Sequence, residues 1–124
     1  MNGTPLYPGA FLIRANLTQA DLSRSDLNKT NLTQANLTNA NLTGLIRADL
    51  KGALLPSADL TDASLRSRKL SMVNLKGANL TRSNLMGAYL THADLTGSNL
   101  SQAKLSRAHL TDVVGADLTG AILE

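Results

Sequence analysis

Residues 35–44 read ANLTNANLTG, and the two Leu in that stretch, Leu37 and Leu42, stand five residues apart. Followed outward, the same spacing holds without a break from Leu12 to Leu42, resumes from Leu50 to Leu110, and returns at Leu118 and Leu123. All 22 of these positions are Leu, and two residues earlier stands Ala in 16 of them. Ser25, Thr30, Ser83 and Ser98 keep that second column small, whereas Arg68 and Val73 depart from it. The residue just before Leu is Asn or Asp in 14 cases and the one after it is commonly Thr or Ser, so the unit is A-(N/D)-L-(T/S)-x.

A period of five fits neither the 3.6-residue repeat of a helix nor the two-residue alternation of a long strand. The chain must therefore turn within every unit. If each unit is one side of a square coil, Leu and the small residue before it point inward, and the other three positions meet solvent. Gly closes the unit at positions 44, 52, 77, 87, 97 and 120, as suits the left-handed residue of a type II turn. Coils stacked at a strand spacing of about 4.8 Å make a rod roughly 26 Å long. Burying each Leu is worth about 1.5–3 kcal/mol before entropy is subtracted, which is reason enough for the repeat to exist.

Composition agrees with such a core. Of 124 residues only 2% are aromatic and none is Cys, so the interior is packed with Leu and Ala, and thiolate chemistry, disulfides and Cys-ligated zinc are excluded. No apolar run reaches the ~20 residues of a membrane span and the start lacks a signal pattern, so a cytoplasmic protein without membrane attachment is expected.

On this unit, repeated over residues 10–124, the chain resembles the pentapeptide repeat proteins. The resemblance implies an all-β fold, a right-handed quadrilateral β-helix, here of about five to six coils. It also makes a cyanobacterial source the natural expectation. Residues 1–9, with Pro5, Leu6, Tyr7 and Pro8, lie outside the repeat and are expected to cap the N-terminal end of the coil.

The period stretches to eight between Leu42 and Leu50 and between Leu110 and Leu118, each time with an apolar pair, Leu45-Ile46 and Val113-Val114. The simplest reading is a corner bulge whose apolar residues fold back onto the coil; the functional one is a knob for a partner. Alternatively each slip is a shortened side centred on Leu45 or Val113. Arg68 occupies the inward small column, where an unpaired guanidinium is costly, so the backbone at 66–72 is expected to distort and let it out. Leu54 and Pro56 suggest a locally irregular side.

Residues twenty apart should stack, which gathers Asp49, Lys69, Tyr89 and His109 in one outward column and Gly52, Met72, His92 and Asp112 in its neighbour. This is where unusual side chains converge, and together with Leu45, Ile46, Val113 and Val114 they form the candidate interaction surface. An ordinary solvated face is the competing reading, since a flat sheet offers no cleft for chemistry. His92, His109 and Asp112 are too few to hold a metal, and no phosphate loop, nucleophile with a base or cofactor motif is present. No catalytic, metal or cofactor site is therefore assigned.

Two function classes remain: a non-enzymatic scaffold or protein-interaction module with a protein partner, and a nucleic-acid or DNA gyrase/topoisomerase binder. Some pentapeptide repeat proteins bind gyrase as acidic mimics of DNA, which a net charge of +3 disfavours here. Nine of twelve basic residues fall on two adjacent sides, so that half of the rod is positive. Scarce aromatics argue against single-stranded nucleic acid. The uncovered final coil, with Leu105, Leu110, Leu118 and Leu123, points to a homodimer through the C-terminal end.

The column assignment is tested by two neighbouring substitutions. Leu85→Asp places an unpaired charge in the Leu stack and should cost several kcal/mol, whereas the outward Asn84→Ser should stay within about 0.5 kcal/mol. Equal melting temperatures for the two variants would show the columns to be misassigned.

Overall fold

The computed structural model describes residues 9, 11–27, 30–45 and 48–124. Most of the expected N-terminal cap, residues 1–8, lies outside them. The described chain contains no helix; it is a β-helix of short parallel bridges separated by turns.

Each turn has one form. The N–H two residues before a Leu donates to the carbonyl of the preceding Leu, as in Ala15 N to Leu12 O at 3.0 Å and Ala78 N to Leu75 O at 3.0 Å. The residue before that donor is left-handed, with the preceding one not, which defines a type II turn. Every described residue at this corner is left-handed: six are Gly, but fourteen are not, from Arg14 at φ 58° to Asp112 at φ 55°. Gly therefore marks the corners but is not needed to make them. A residue with a Cβ there gives up about 1–2 kcal/mol relative to its ordinary backbone, and burial of the adjoining Leu offsets it.

Four such five-residue sides return the chain to its starting side. Asn16 bridges Asn36, Asn79 bridges Asn99 and Tyr89 bridges His109, each pair twenty apart and parallel. Leu N–H groups bind the coil above at 2.7–3.1 Å, as Leu80 N binds Asn99 O at 2.8 Å. Leu and the small column meet in one continuous core, in which Leu17, Leu37, Leu60 and Leu95 are wholly buried.

Across the two slips the register drops from twenty to eighteen: Asn36 bridges Leu54, Asn41 bridges Asp59, and Lys104 bridges Ile122. A bulge of three extra residues would lengthen the repeat to more than twenty, so the corner-bulge expectation is corrected: each slip is a side of three residues. Nor is that side centred on Leu45. Leu45 O accepts the Ser64 N–H at 2.7 Å just as Ala63 O accepts that of Asn84 at 2.9 Å, so Leu45 begins the side in the small-residue column. It is fully buried, its larger side chain standing where the coils below and above have Ser25 and Ala63, and it is removed from the candidate surface. Ile46 lies outside the described residues.

Two further expectations are corrected. The backbone around Arg68 stays regular, with Arg68 N on Leu65 O at 3.1 Å and Tyr89 N on Arg68 O at 3.0 Å. Its long side chain escapes without help, Nε donating to Arg66 O at 3.2 Å. The side with Leu54 and Pro56 is equally regular, since Leu54 bridges both Asn36 and Asn74. There the usual Asn or Asp is missing, and so is the N–H that it would bind, because the second residue of this type II turn is Pro.

The second short side ends at Gly115, which takes the central position that Leu holds elsewhere: Leu95 N donates to Val114 O at 2.9 Å. Gly115 is left-handed at φ 67°, and a Cβ on it would lie 2.9 Å from Thr96 Cα. At Gly97, with nearly the same φ of 69°, the nearest atom would be 3.8 Å away. Backbone strain is thus matched between the two and the steric clash is not. Gly97→Ala should cost about 1 kcal/mol and Gly115→Ala clearly more, because backbone must shift. Equal losses by chemical denaturation would contradict the close approach.

Candidate interaction face

Outward N–H groups are all satisfied on one side of the rod and only in part on the others. Where they are satisfied, Asn or Asp before the central Leu turns its Oδ1 onto the N–H two residues later, as Asn16 does for Thr18 at 3.2 Å and Asn79 for Thr81 at 3.0 Å. The same oxygen takes the Thr or Ser hydroxyl, at 2.6 Å from Thr81. Short side chains that bind their own backbone in this way are turn formers, so this ladder serves the fold itself. One whole side, carrying Asp21, Asn41, Asp59, Asn79, Asn99 and Asp117, is built of nothing else.

Side A, comprising 11–14, 30–34, 48–52, 68–72, 88–92 and 108–112, departs from it. Its column before Leu runs Phe11, Asn31, Asp49, Lys69, Tyr89, His109, with bridges between Phe11 and Asn31, Asn31 and Asp49, Lys69 and Tyr89, and Tyr89 and His109. The expected stack is present in side chains as well: the Tyr89 and His109 rings lie 4.5 Å apart and 6° from parallel. In the neighbouring column His92 Nδ1 approaches Asp112 Oδ2 at 3.7 Å. Lower on the same corner, Arg14 Nε donates to Gln34 Oε1 at 2.9 Å.

Side A also holds Phe11, Ile13, Met72 and Tyr89, half of the described large apolar side chains that are exposed. A shallow open depression of about 370 Å³ lies on it, lined by Lys51, Lys69, Ser71 and Tyr89. Thus Asp49, Lys69, Tyr89, His92, His109 and Asp112 share one face. Val113 and Val114 lie elsewhere, on the short side near the C-terminal end, with Val114 exposed. Lys51 and Ser71 were missed by column reasoning alone; their places in the next outward column of the same side were the available signal. Among the described residues no group of three metal-ligating side chains occurs, and no helix is long and apolar enough to cross a membrane.

The family model for pentapeptide repeats matches in eight copies at residues 9–44, 45–82, 74–112 and 83–124, and the chain belongs to that family. Among solved structures it is similar to Rfr23, a pentapeptide repeat protein from the cyanobacterium Cyanothece 51142, at 28% identity over 94% of this chain and 89% of that one, with a TM-score of 0.54. It is also similar to HetL of the cyanobacterium Nostoc sp. strain PCC 7120, a pentapeptide repeat protein involved in heterocyst differentiation regulation. There the identity is 34% over 93% of this chain, the TM-score is 0.44, and the match spans 60% of HetL. QnrB1, a plasmid-mediated fluoroquinolone resistance protein, shares 19% identity over 88% of this chain and 67% of its own with a TM-score of 0.50, a likeness of fold alone. No curated protein matches.

The ladder has an electrostatic signature. Hydrogen bonds from the Thr96 hydroxyl and then its N–H hold Asp94 below the usual carboxylate range, and Ser23 and Thr119 do the same for Asp21 and Asp117. A carboxyl lowered in the folded state stabilises the fold above its unfolded value near 4, and that contribution is lost as pH falls through the lower folded value. The melting temperature should therefore fall on acidification below pH 4. Asn keeps the acceptor and removes the titration, so a variant with Asp21, Asp94 and Asp117 all changed to Asn should show a flatter acid limb. An unchanged slope would contradict the assignment.

Proposed function

We propose that this chain is a non-enzymatic interaction module: a right-handed, four-sided rod of six coils that presents side A to a protein partner. The observation that carries this reading is the loss of the self-satisfying Asn/Asp ladder on the upper part of side A, where Lys69, Tyr89 and His109 replace it. These three replacements do nothing for the turn that Asn would not do better, which favours a role outside the fold. Membership of a family whose members generally serve as structural or interaction modules supports the same reading. Stiffness supports it too, because a continuous core holds the face in one shape and lowers the entropy lost on binding.

A nucleic-acid or gyrase-binding role has less support. Mimicry of DNA needs a uniformly acidic surface, and this chain is net positive. The last coil offers a second contact, since Val114, Ile122 and Leu123 are exposed on it. A homodimer formed there would double the number of presented faces; light scattering should then give twice 13.1 kDa, falling to the monomer mass in Leu123→Lys.

Capture from a lysate of the native cell tests the main proposal. Wild type should retain a partner that is lost with Tyr89→Ala and kept with Thr43→Ala on the self-satisfied side. Equal retention by both variants would refute the role of side A.

A further inference from the structure

Except at Pro56, which has none, the outward N–H that follows each central Leu has no backbone partner at any described rung. At thirteen rungs the preceding Asn or Asp caps it, at 3.0–3.3 Å. On side A the last such cap is Asp49 on Lys51 N. Above it, Lys69, Tyr89 and His109 carry no oxygen that can reach back in this way. Among the described residues the N–H groups of Ser71, Thr91 and Thr111 have no acceptor, and the hydroxyls beside them have no ladder partner either; Ile13, Arg66 and Ser106 also lack a cap, but only on side A are three vacant rungs consecutive.

The result is a column of three rungs, each with an outward N–H and a hydroxyl, about 4.8 Å apart at the strand spacing. Its first rung, Ser71, opens into the depression lined by Lys51 and Lys69. Described ion pairs are those of Arg82 with Asp62 and His92 with Asp112, so both ammonium groups are unpaired among the described residues. Donors predominate in the depression and its charge is positive. Exposed backbone donors beside cations form anion-seeking sites, and a charge-assisted bond is about twice as strong as a neutral one.

The rest of the rod shows which anion such a rung accepts. At Thr18, Ser23, Thr61 and Thr96 a single carboxylate or carboxamide oxygen takes both the N–H and the hydroxyl. We propose that side A binds an acidic segment of a partner protein whose carboxylates fill the vacant caps of Ser71, Thr91 and Thr111, completing in trans the ladder that Asn and Asp complete in cis at the thirteen capped rungs. Lys51 and Lys69 attract the segment and pair with its charge at the first rung. The stacked Tyr89 and His109 rings give its apolar atoms a platform. Asp49 sets the lower limit by capping its own rung, and Asp112 lies at the corner with its carboxylate toward His92. The proposal rests on side A as the interaction face and adds the chemistry of the occupant.

The probe is hexa-L-glutamate, titrated into the whole ¹⁵N-labelled chain and followed by amide chemical shift. The expected result is a saturable shift of Ser71, Thr91 and Thr111, with the capped Thr18, Thr81 and Ser101 unmoved. Lys69→Asn, Tyr89→Asn and His109→Asn together restore the cap in cis; that variant should melt no lower than wild type and bind the peptide at least tenfold more weakly. Hexaglutamine should cause no comparable shift. Undiminished binding by the folded triple variant, or shifts that avoid the three amides, would overturn the proposal, as would inorganic polyphosphate moving the same amides at equal or lower concentration. If hexaglutamate fails while Tyr89→Ala still abolishes capture of the native partner, the acidic occupant is refuted and the interaction face stands.

Discussion

Everything in this protein depends on a turn that closes every side by putting one residue in the left-handed region. With that turn at the end of each five-residue unit, the Leu and the small residue before it face the axis, and the backbone groups between corners are aligned to bind the coils above and below. Fourteen residues with a Cβ accept a conformation that L-residues rarely adopt, which is tolerable because each is tied to a wholly or largely buried Leu. The Leu core and the coil-to-coil ladder are thus consequences of one corner repeated, and they return enough stability to hold it.

The same constraint explains how much could be read beforehand. A column of Leu at period five, Ala two residues before it and Gly at several corners were sufficient to give sides, inward positions and stacking at twenty residues. Interruptions were harder, because a single sequence shows that the period slips without showing which residue takes the inward place. Leu45 reads in sequence as part of a corner bulge or as a knob for a partner; register at eighteen and complete burial make it a core residue of a short side. Arg68 looked like a source of distortion, and the length of its own side chain resolved the conflict without backbone change. At Leu54 and Pro56 two departures from the pattern cancel, since the missing acceptor meets a missing donor.

The candidate face was legible in outline. Stacking at twenty residues brought Asp49, Lys69, Tyr89 and His109 together, and the Tyr89–His109 ring pair follows from it directly. What column reasoning passed over was the backbone. Asn and Asp in the repeat appear at first as a composition bias, and only the hydrogen bonds reveal them as caps on an outward N–H. Once that role is known, Lys69, Tyr89 and His109 read differently: what matters is the acceptor they lack as well as the side chain they bring. Charge follows a similar logic, for Lys51 and Lys69, without an ionic partner among the described residues, stand beside donors without an acceptor among them.

Register is the central claim, because the short sides, the buried Leu45 and the alignment of side A all follow from it. It is measured most directly by scalar coupling across individual hydrogen bonds in a ¹⁵N,¹³C-labelled sample. The account predicts a coupling from the Leu37 N–H to the Leu54 carbonyl, and from the Leu80 N–H to the Asn99 carbonyl. Where the coil contains a short side the ladder thus steps by seventeen from Leu to the residue it binds, as at Leu32, Leu37, Leu42 and Leu105, and at the other described rungs it steps by nineteen. A coupling from Leu37 to Pro56, keeping the longer step through the slip, would contradict the account.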